Sequence, residues 1–140
     1  MTDHEKTLIL VKPDGVERNL IGEILRRIEA KGYEITALKM VTATKDQLAA
    51  HYRDHVEKPF FPSLVEYMSS GPVVAAIVHG DRVIEGVRSL SGATDPTKAA
   101  PGTIRGDLGR AWPGDNILNL IHSSDSPESA AHEIGVWFGN

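Results

Sequence analysis

Lys6-Thr-Leu-Ile-Leu-Val11, Lys12-Pro-Asp-Gly15 and Asn19-Leu-Ile-Gly-Glu-Ile-Leu-Arg-Arg-Ile28 follow one another near the start of the chain, and the change of period across them decides the fold class. The first is a short apolar run halted by a turn sequence, so it reads as a buried strand that stops abruptly and leaves Lys12 at its C-terminal end. From Asn19 the period becomes helical. Leu20, Ile21, Ile24, Leu25 and Ile28 share one face, while Glu23, Arg26, Arg27, Glu29 and Lys31 lie off it. Asn19 reads as the N-cap and Gly32 as the C′ residue of a helix of about three turns.

The same alternation continues along the chain. Tyr33 to Val41 is a β-leaning stretch able to pair with the first strand. Thr44 with Gln47 fits a capping box, predicting a helix from Lys45 to about Tyr52. Beyond Pro59-Phe60-Phe61-Pro62, Leu64, Val65 and Met68 suggest a short helix ending at Gly71. Pro72 to Val78 reads as a buried strand, Asp81 as the cap of a helix over Val83, Ile84, Val87 and Leu90, and Ile117 to Ile121 as an apolar strand ending at His122. Ser126-Pro127 opens a last helix lined by Ala130, Ala131, Ile134, Trp137 and Phe138. Single strands separated by helices give an α/β or α+β sandwich. The economical choice is a ferredoxin-like βαββαβ unit with a four-stranded antiparallel sheet covered by helices.

At 140 residues the chain is read as one domain, 1–140, long enough for a single core. Cysteine is absent, which excludes disulfides, thiolate zinc sites and thiol catalysis. The opening residues lack a basic segment followed by an apolar one, and the longest aliphatic run, Val73 to Val78, is far short of the ~18 residues of a membrane span. A soluble, cytoplasmic protein is expected. Its net charge of −4 argues against a broad nucleic-acid face, and the strands lack interleaved aromatic and basic residues, so no specific nucleic acid is expected.

Two common nucleotide motifs are missing. No Gly-Lys dipeptide exists, which removes a P-loop, and no GxGxxG follows a strand. Any phosphate chemistry needs another cradle. The stretch Gly92 to Gly114 holds eight Gly and Pro residues where uniform spacing would put about three or four. From Ser91 to Asn116 it shows no clear helix or strand period, and it carries Thr94, Arg105 and Arg110, with Arg88 just before it. Structureless loops beyond ~12 to 15 residues are functional or disordered. Gly102 and Gly106 would let backbone approach a ligand closely.

Of the six histidines, His51 and His55 have the spacing of a helical metal pair but lack the Glu that a zincin needs, so they read as a solvated helix-end pair. His4 and His132 read as exposed and His79 as a satisfied edge histidine. His122 differs. It closes a buried strand just before a helix capped by Ser126, among Ser123, Ser124, Asp125, Glu128 and Glu133. A carboxylate on one ring nitrogen would fix the tautomer and free the other to attack a phosphorus. Cations converging on such a site suit a polyphosphate, whose charge must be neutralised during transfer. The bland alternatives are a structural histidine and a solvated surface loop.

Taken together, these residues resemble the nucleoside diphosphate kinase family from about Thr7 to Phe138. The resemblance rests on Lys12-Pro-Asp-Gly-Val, Arg88, Gly92-Ala-Thr-Asp-Pro, Pro101-Gly-Thr-Ile-Arg-Gly-Asp107, Asn119-Leu-Ile-His122-Ser-Ser-Asp-Ser and Glu133-Ile-Gly-Val-Trp-Phe138, in that order. It implies ping-pong transfer of the γ-phosphate of ATP or another nucleoside triphosphate to a nucleoside diphosphate through phosphohistidine at His122. Mg2+ would bridge the β and γ phosphates and be bound mainly through them, with no protein ligand assigned. The resemblance also implies that Arg88, Thr94 and Arg105 hold phosphates, that Lys12 and Asn119 reach sugar hydroxyls and phosphate, and that Tyr52 lies near the histidine. Phe60 and Leu64 would sandwich the base, while Ser124 and Glu133 orient His122. A base gripped by stacking is read by few hydrogen bonds, so broad base specificity follows. A homo-oligomer is the family habit.

Two departures stand out. Ser123 occupies a position where the family usually has Gly, which would bring strain if that residue needs a positive φ. The run Leu108-Gly-Arg-Ala-Trp-Pro-Gly-Asp115 makes the chain about four residues longer here than the resemblance suggests. Trp112 then either supplies the missing apolar contact to the base or sits on an outward bulge. A ferredoxin-like binding module that lost turnover through these changes is the alternative reading.

Overall fold

The computed structural model describes residues 5–114 and 116–139. Four strands, β1 (Glu5–Val11), β2 (Glu34–Val41), β3 (Val73–Gly80) and β4 (Ile121–Ser123), form one sheet in the order β2-β3-β1-β4. Every pairing is antiparallel, as expected of the ferredoxin-like arrangement. The central strand β1 is buried on both faces from Thr7 to Val11, which accounts for its unbroken apolar run. β2 lies at an edge and pairs with β3, not with the first strand as read from the sequence, and its alternation leaves the apolar Leu38 and Met40 on the more exposed face.

The two faces of β1 seed two cores. Ile9 and Val11 pack with Ile24 and Ile28 of α2 (Ile21–Ala30), with Val83 and Val87 of α5 (Val83–Ser91), and with Ile104 of α6 (Ile104–Leu108). Leu8 and Leu10 pack with Leu48 of α3 (Lys45–His51), Met68 of α4 (Phe61–Met68) and Trp137 of α7 (Pro127–Phe138). Each fully buried aliphatic side chain contributes roughly 1.5–3 kcal/mol, so removing the shared strand would cost both layers. The Thr44–Gln47 capping box forms as read, and Ser126 Oγ accepts the Ser129 N–H.

Several local readings need correction. Lys12-Pro-Asp-Gly is the start of a five-residue helix, α1 (Pro13–Glu17), because Pro13 fits the first helical position with no N–H to lose. Asn19 turns the chain at φ 59°, and Leu20 is the N-cap of α2. The N-cap of α5 is Arg82, not Asp81. The carboxylate supplied there comes from outside the helix, as Glu5 Oε1 accepts the Ile84 N–H at 3.0 Å. The breaker-rich stretch contains α6, capped by Thr103 Oγ1 on the Gly106 N–H.

β4 is shorter than read and begins only at Ile121. Leu120 has φ 73°, which bends the chain, and Arg105 takes the carbonyls of Asn119 and Ile121 that a longer strand would offer to a ladder. His122 therefore lies within the strand, opposite Leu10. Ser123 is absent from the positive-φ residues, so the strain expected of a serine there does not arise.

Candidate active site

β4 places His122 on the sheet face covered by α7 and α3. Its Nε2 lies 2.8 Å from Glu133 Oε1, and the same oxygen accepts Ser124 Oγ–H at 2.7 Å. Ser124 is held in turn by the Leu8 N–H at 3.3 Å. Because a carboxylate oxygen only accepts, Nε2 carries the proton in the neutral ring and Nδ1 keeps its lone pair. Nδ1 makes no hydrogen bond among the described residues. Burial pushes the Glu133 carboxyl up, but the bonds and charges of His122, His51 and Ser124 outweigh that and leave it below its ordinary value.

His51 departs from its reading as half of a solvated pair. It is buried, its ring stands edge-on to His122 with centroids 4.6 Å apart, and its Nδ1 accepts the Trp137 indole N–H at 3.0 Å. Burial, with His122 close by, pushes its pKa down to about 3, so the ring is neutral with its proton on Nε2. The available signal was its place three residues after Leu48, on the buried stripe of α3. His55 is half-buried, its ring between those of Tyr52 and Phe60. His132 is also half-buried and bonds Ala50 O rather than standing free; His4 lies outside the described residues.

A cavity of about 300 Å³ opens over His122 and gathers Lys12, Tyr52, Arg88, Thr94, Arg105, Asn119 and Glu133 on its walls, with His51, Asp54, His55 and Asp125 among the others. Lys12 reaches it from the end of β1, Arg88 from the last turn of α5, and Arg105 from the first turn of α6. Asn119 ties them together. Its Oδ1 accepts Lys12 Nζ at 2.8 Å and its Nδ2 donates to Thr94 O at 3.0 Å. Burial and the nearby Arg105 push the Lys12 pKa down to about 8, with Asp14 opposing. Burial and Arg88 bring Arg105 down to about 10, and Asp14 again opposes. Tyr52 is pushed up by burial and by the Glu133 charge.

Arg105 braces the loop as well as lining the cavity. Its guanidinium donates to Gly92 O at 2.9 Å, Asn119 O at 3.1 Å and Ile121 O, leaving two of five N–H groups for a ligand. Gly106 serves this packing, whereas Gly102 takes a φ of 96° with open space where a Cβ would stand. Gly106 sits where an added Cβ would lie 2.0 Å from Ala100 O, and the Gly102 N–H donates to Asp107 Oδ1 at 2.8 Å.

Some expected residues stand outside the cavity wall. Ser124 is wholly buried behind Glu133. Phe60 is 49% exposed beside His55, and Leu64 of α4 packs against the core, so neither lines the cavity over His122. Trp112 does not line the cavity over His122; it has the Arg110 guanidinium 3.6 Å above its ring and Arg18 at 5.9 Å, on a separate hollow shared with Asp95 and Pro96.

The family model described as nucleoside diphosphate kinase matches residues 5–140. A nucleoside diphosphate kinase of Mycolicibacterium gilvum is 57% identical over 135 residues, 96% of each chain. Among solved structures, the nucleoside diphosphate kinase of Borrelia burgdorferi with bound vanadate and ADP, a transition-state mimic, superposes with TM-score 0.90 at 40% identity, covering 96% of this chain and 87% of that one. A halophilic relative from Halobacterium salinarum in complex with CDP gives 0.91 at 43% identity, covering 99% and 90%.

Proposed function

The chain belongs to the nucleoside diphosphate kinase family, and from that premise we propose that His122 carries the γ-phosphoryl group of a nucleoside triphosphate to a nucleoside diphosphate in two in-line displacements. The observation that carries the assignment is the 2.8 Å contact of Nε2 with Glu133, which leaves Nδ1 as the nucleophile. In the first displacement the Nδ1 lone pair attacks the γ-phosphorus, the bond to the β,γ-bridging oxygen breaks, and the nucleoside diphosphate leaves with that oxygen. In the second, a terminal β-phosphate oxygen of another diphosphate attacks the same phosphorus and the P–N bond breaks.

The wall residues supply what such transfers need. Lys12, Arg88, Thr94 and the free N–H groups of Arg105 hold the phosphates, and Asn119 with Lys12 serves the sugar and phosphate. Preorganised cations lower the cost of charge on the transferred group. Glu133, steadied by Ser124, stabilises the positive charge that grows on the ring as the N–P bond forms. Tyr52 closes the wall beside the histidine. Phe60 and Leu64 offer the base an apolar clamp, and stacking tolerates any base, which supports broad specificity.

Mg2+ is the metal proposed, as expected for a nucleotide kinase. The donor set fits an ion carried in by the nucleotide: Glu133 is engaged, and the cavity's other carboxylates are Asp54 and Asp125, too few for a protein-made octahedron. When bound it would neutralise β and γ phosphate charge, with Asp54 and Asp125 able to bond its waters. We further propose a homo-oligomer in the cytoplasm. The edge strand β2, with Leu38 and Met40 53% and 55% exposed, supports pairing with a second copy. Among the described residues no helix is long and apolar enough to cross a membrane.

The test is a half-reaction. Protein mixed with ATP labelled in the γ-phosphate is freed of nucleotide and chased with CDP or GDP. The label is expected to appear in either triphosphate. Nucleotide binding without label on the protein would instead favour the binding-module reading.

A further inference from the structure

Asp14 is buried, yet none of the assigned roles uses it. It stands in the first turn of α1, two residues after Lys12, and both carboxylate oxygens are engaged. Oδ1 accepts the Tyr67 O–H from α4, and Oδ2 accepts the Leu120 N–H at 3.2 Å. Leu120 has a left-handed backbone, which a leucine adopts only at a cost unless its surroundings hold it there. Its carbonyl accepts the Lys12 N–H at 2.8 Å, so the residues on either side of Pro13 grip both polar groups of one residue. That residue separates Asn119, whose side chain holds Lys12 and Thr94, from the strand bearing His122.

Asp14 also stands against charge. Lys12 and Arg105 are desolvated and repel each other, and Asp14 is the acid that opposes the shift of both. The groups facing Lys12 are otherwise neutral or cationic on its own side: Arg105 from α6, His51 from α3 and Asn119. Glu133 of α7 lies beyond the His122 ring, with Arg88 of α5, Asp54 and Asp125 at the cavity's remaining walls. Tyr67, pushed up by burial and by its bond to Asp14, stays protonated and keeps donating.

We propose that Asp14, held by the Tyr67 hydroxyl, is a positioning residue for phosphoryl transfer: its carboxylate locks the Leu120 backbone that joins Lys12 and Asn119 to the strand of His122. It touches no substrate and acts through Lys12, Asn119 and the strand of His122. The inference rests on the proposed phosphate-binding role of Lys12.

The test is the pH dependence of kcat/KM with ATP in the wild type and in Asp14→Asn, Tyr67→Phe and Lys12→Gln. The wild type is expected to lose kcat/KM on an alkaline limb near pH 8, because burial and Arg105 bring the Lys12 pKa down to about 8. Asp14→Asn moves that limb down by about one pH unit, a loss of about fivefold at pH 8. Tyr67→Phe keeps the charge and so leaves the limb in place while lowering kcat/KM about threefold. Lys12→Gln removes the limb. An Asp14→Asn limb at the wild-type position, a Tyr67→Phe limb shifted as far as that of Asp14→Asn, or a limb surviving in Lys12→Gln overturns the proposal. If Asp14→Asn fails to fold, Tyr67→Phe decides alone, and unchanged kcat/KM overturns it. Wild-type phosphohistidine at His122 is measured alongside: its absence sinks the proposed function, whereas its presence with unmoved limbs sinks only the role of Asp14.

Discussion

Replacing Glu133 by Gln keeps the shape of the side chain and removes its charge, which isolates what the carboxylate does for His122. In the present geometry Oε1 accepts from His122 Nε2 at 2.8 Å and from Ser124 Oγ at 2.7 Å, and the residue is buried. As Nδ1 bonds to phosphorus the ring becomes cationic, so the Nε2–H bond to a carboxylate strengthens along the reaction. A hydrogen bond to a charged partner contributes roughly 1.5–3 kcal/mol, and roughly 1.4 kcal/mol is tenfold in rate, so phosphorylation of Glu133→Gln should slow about 10- to 150-fold. The amide can also donate to Nε2, which drives the proton to Nδ1 and blocks attack. The assay is single-turnover phosphoenzyme formation by rapid quench at saturating ATP, with urea midpoints measured in parallel to confirm folding. A folded Glu133→Gln phosphorylated within about twofold of the wild type would refute the reasoning.

Three other outcomes follow from single contacts. His51 has a folded pKa of about 3 against an ordinary 6.5, so the native state binds fewer protons than the unfolded chain: stability is full above about pH 6.5 and is lost as pH falls toward 3. The loss is at most about 1.4 kcal/mol per pH unit, and His51→Gln should flatten the urea midpoint between about pH 6 and 5; an unchanged slope contradicts the burial argument. Gly92 combines φ 88° with a Cβ position 2.5 Å from Thr103 Oγ1, so Gly92→Ala should destabilise by more than about 1 kcal/mol in urea unfolding, and a neutral effect counts against the packing described. Ser123 has ordinary backbone, so Ser123→Gly relieves no strain: it should cost about 0.5–1 kcal/mol of stability without raising kcat, and a several-fold gain in kcat contradicts this.

Legibility from the sequence varied with the range of the cause. β1, α2, α3, β3 and α7 follow from local signals, namely apolar period, the Thr44–Gln47 box and Ser126-Pro127, and local signals survive in any context. The cap of α5 was misplaced because its carboxylate, Glu5, is far away in sequence. β4 was misread because Ile117 and Leu118 look like strand residues, while the bend at Leu120 is imposed by Asp14 and Arg105 from elsewhere. The site was legible in kind, since cations, glycines and a strand-end histidine suggest phosphate chemistry, and the residue-by-residue assignment came from the family resemblance. His51 and Asp14 were missed for one reason: their partners, Trp137 and the pair Tyr67 and Leu120, are distant in sequence, and polar residues read as solvated until burial is known.

The central claim is that Nδ1 of His122 is the atom that takes the phosphoryl group, because Glu133 occupies Nε2. The direct measurement is the phosphorus and proton–nitrogen NMR spectrum of the phosphoenzyme formed from ATP, which assigns the P–N bond to one ring nitrogen of one histidine. The account predicts a single acid-labile, alkali-stable phosphate on Nδ1 of His122, absent from His122→Ala. Phosphate on Nε2, on another residue, or retained in His122→Ala would contradict it.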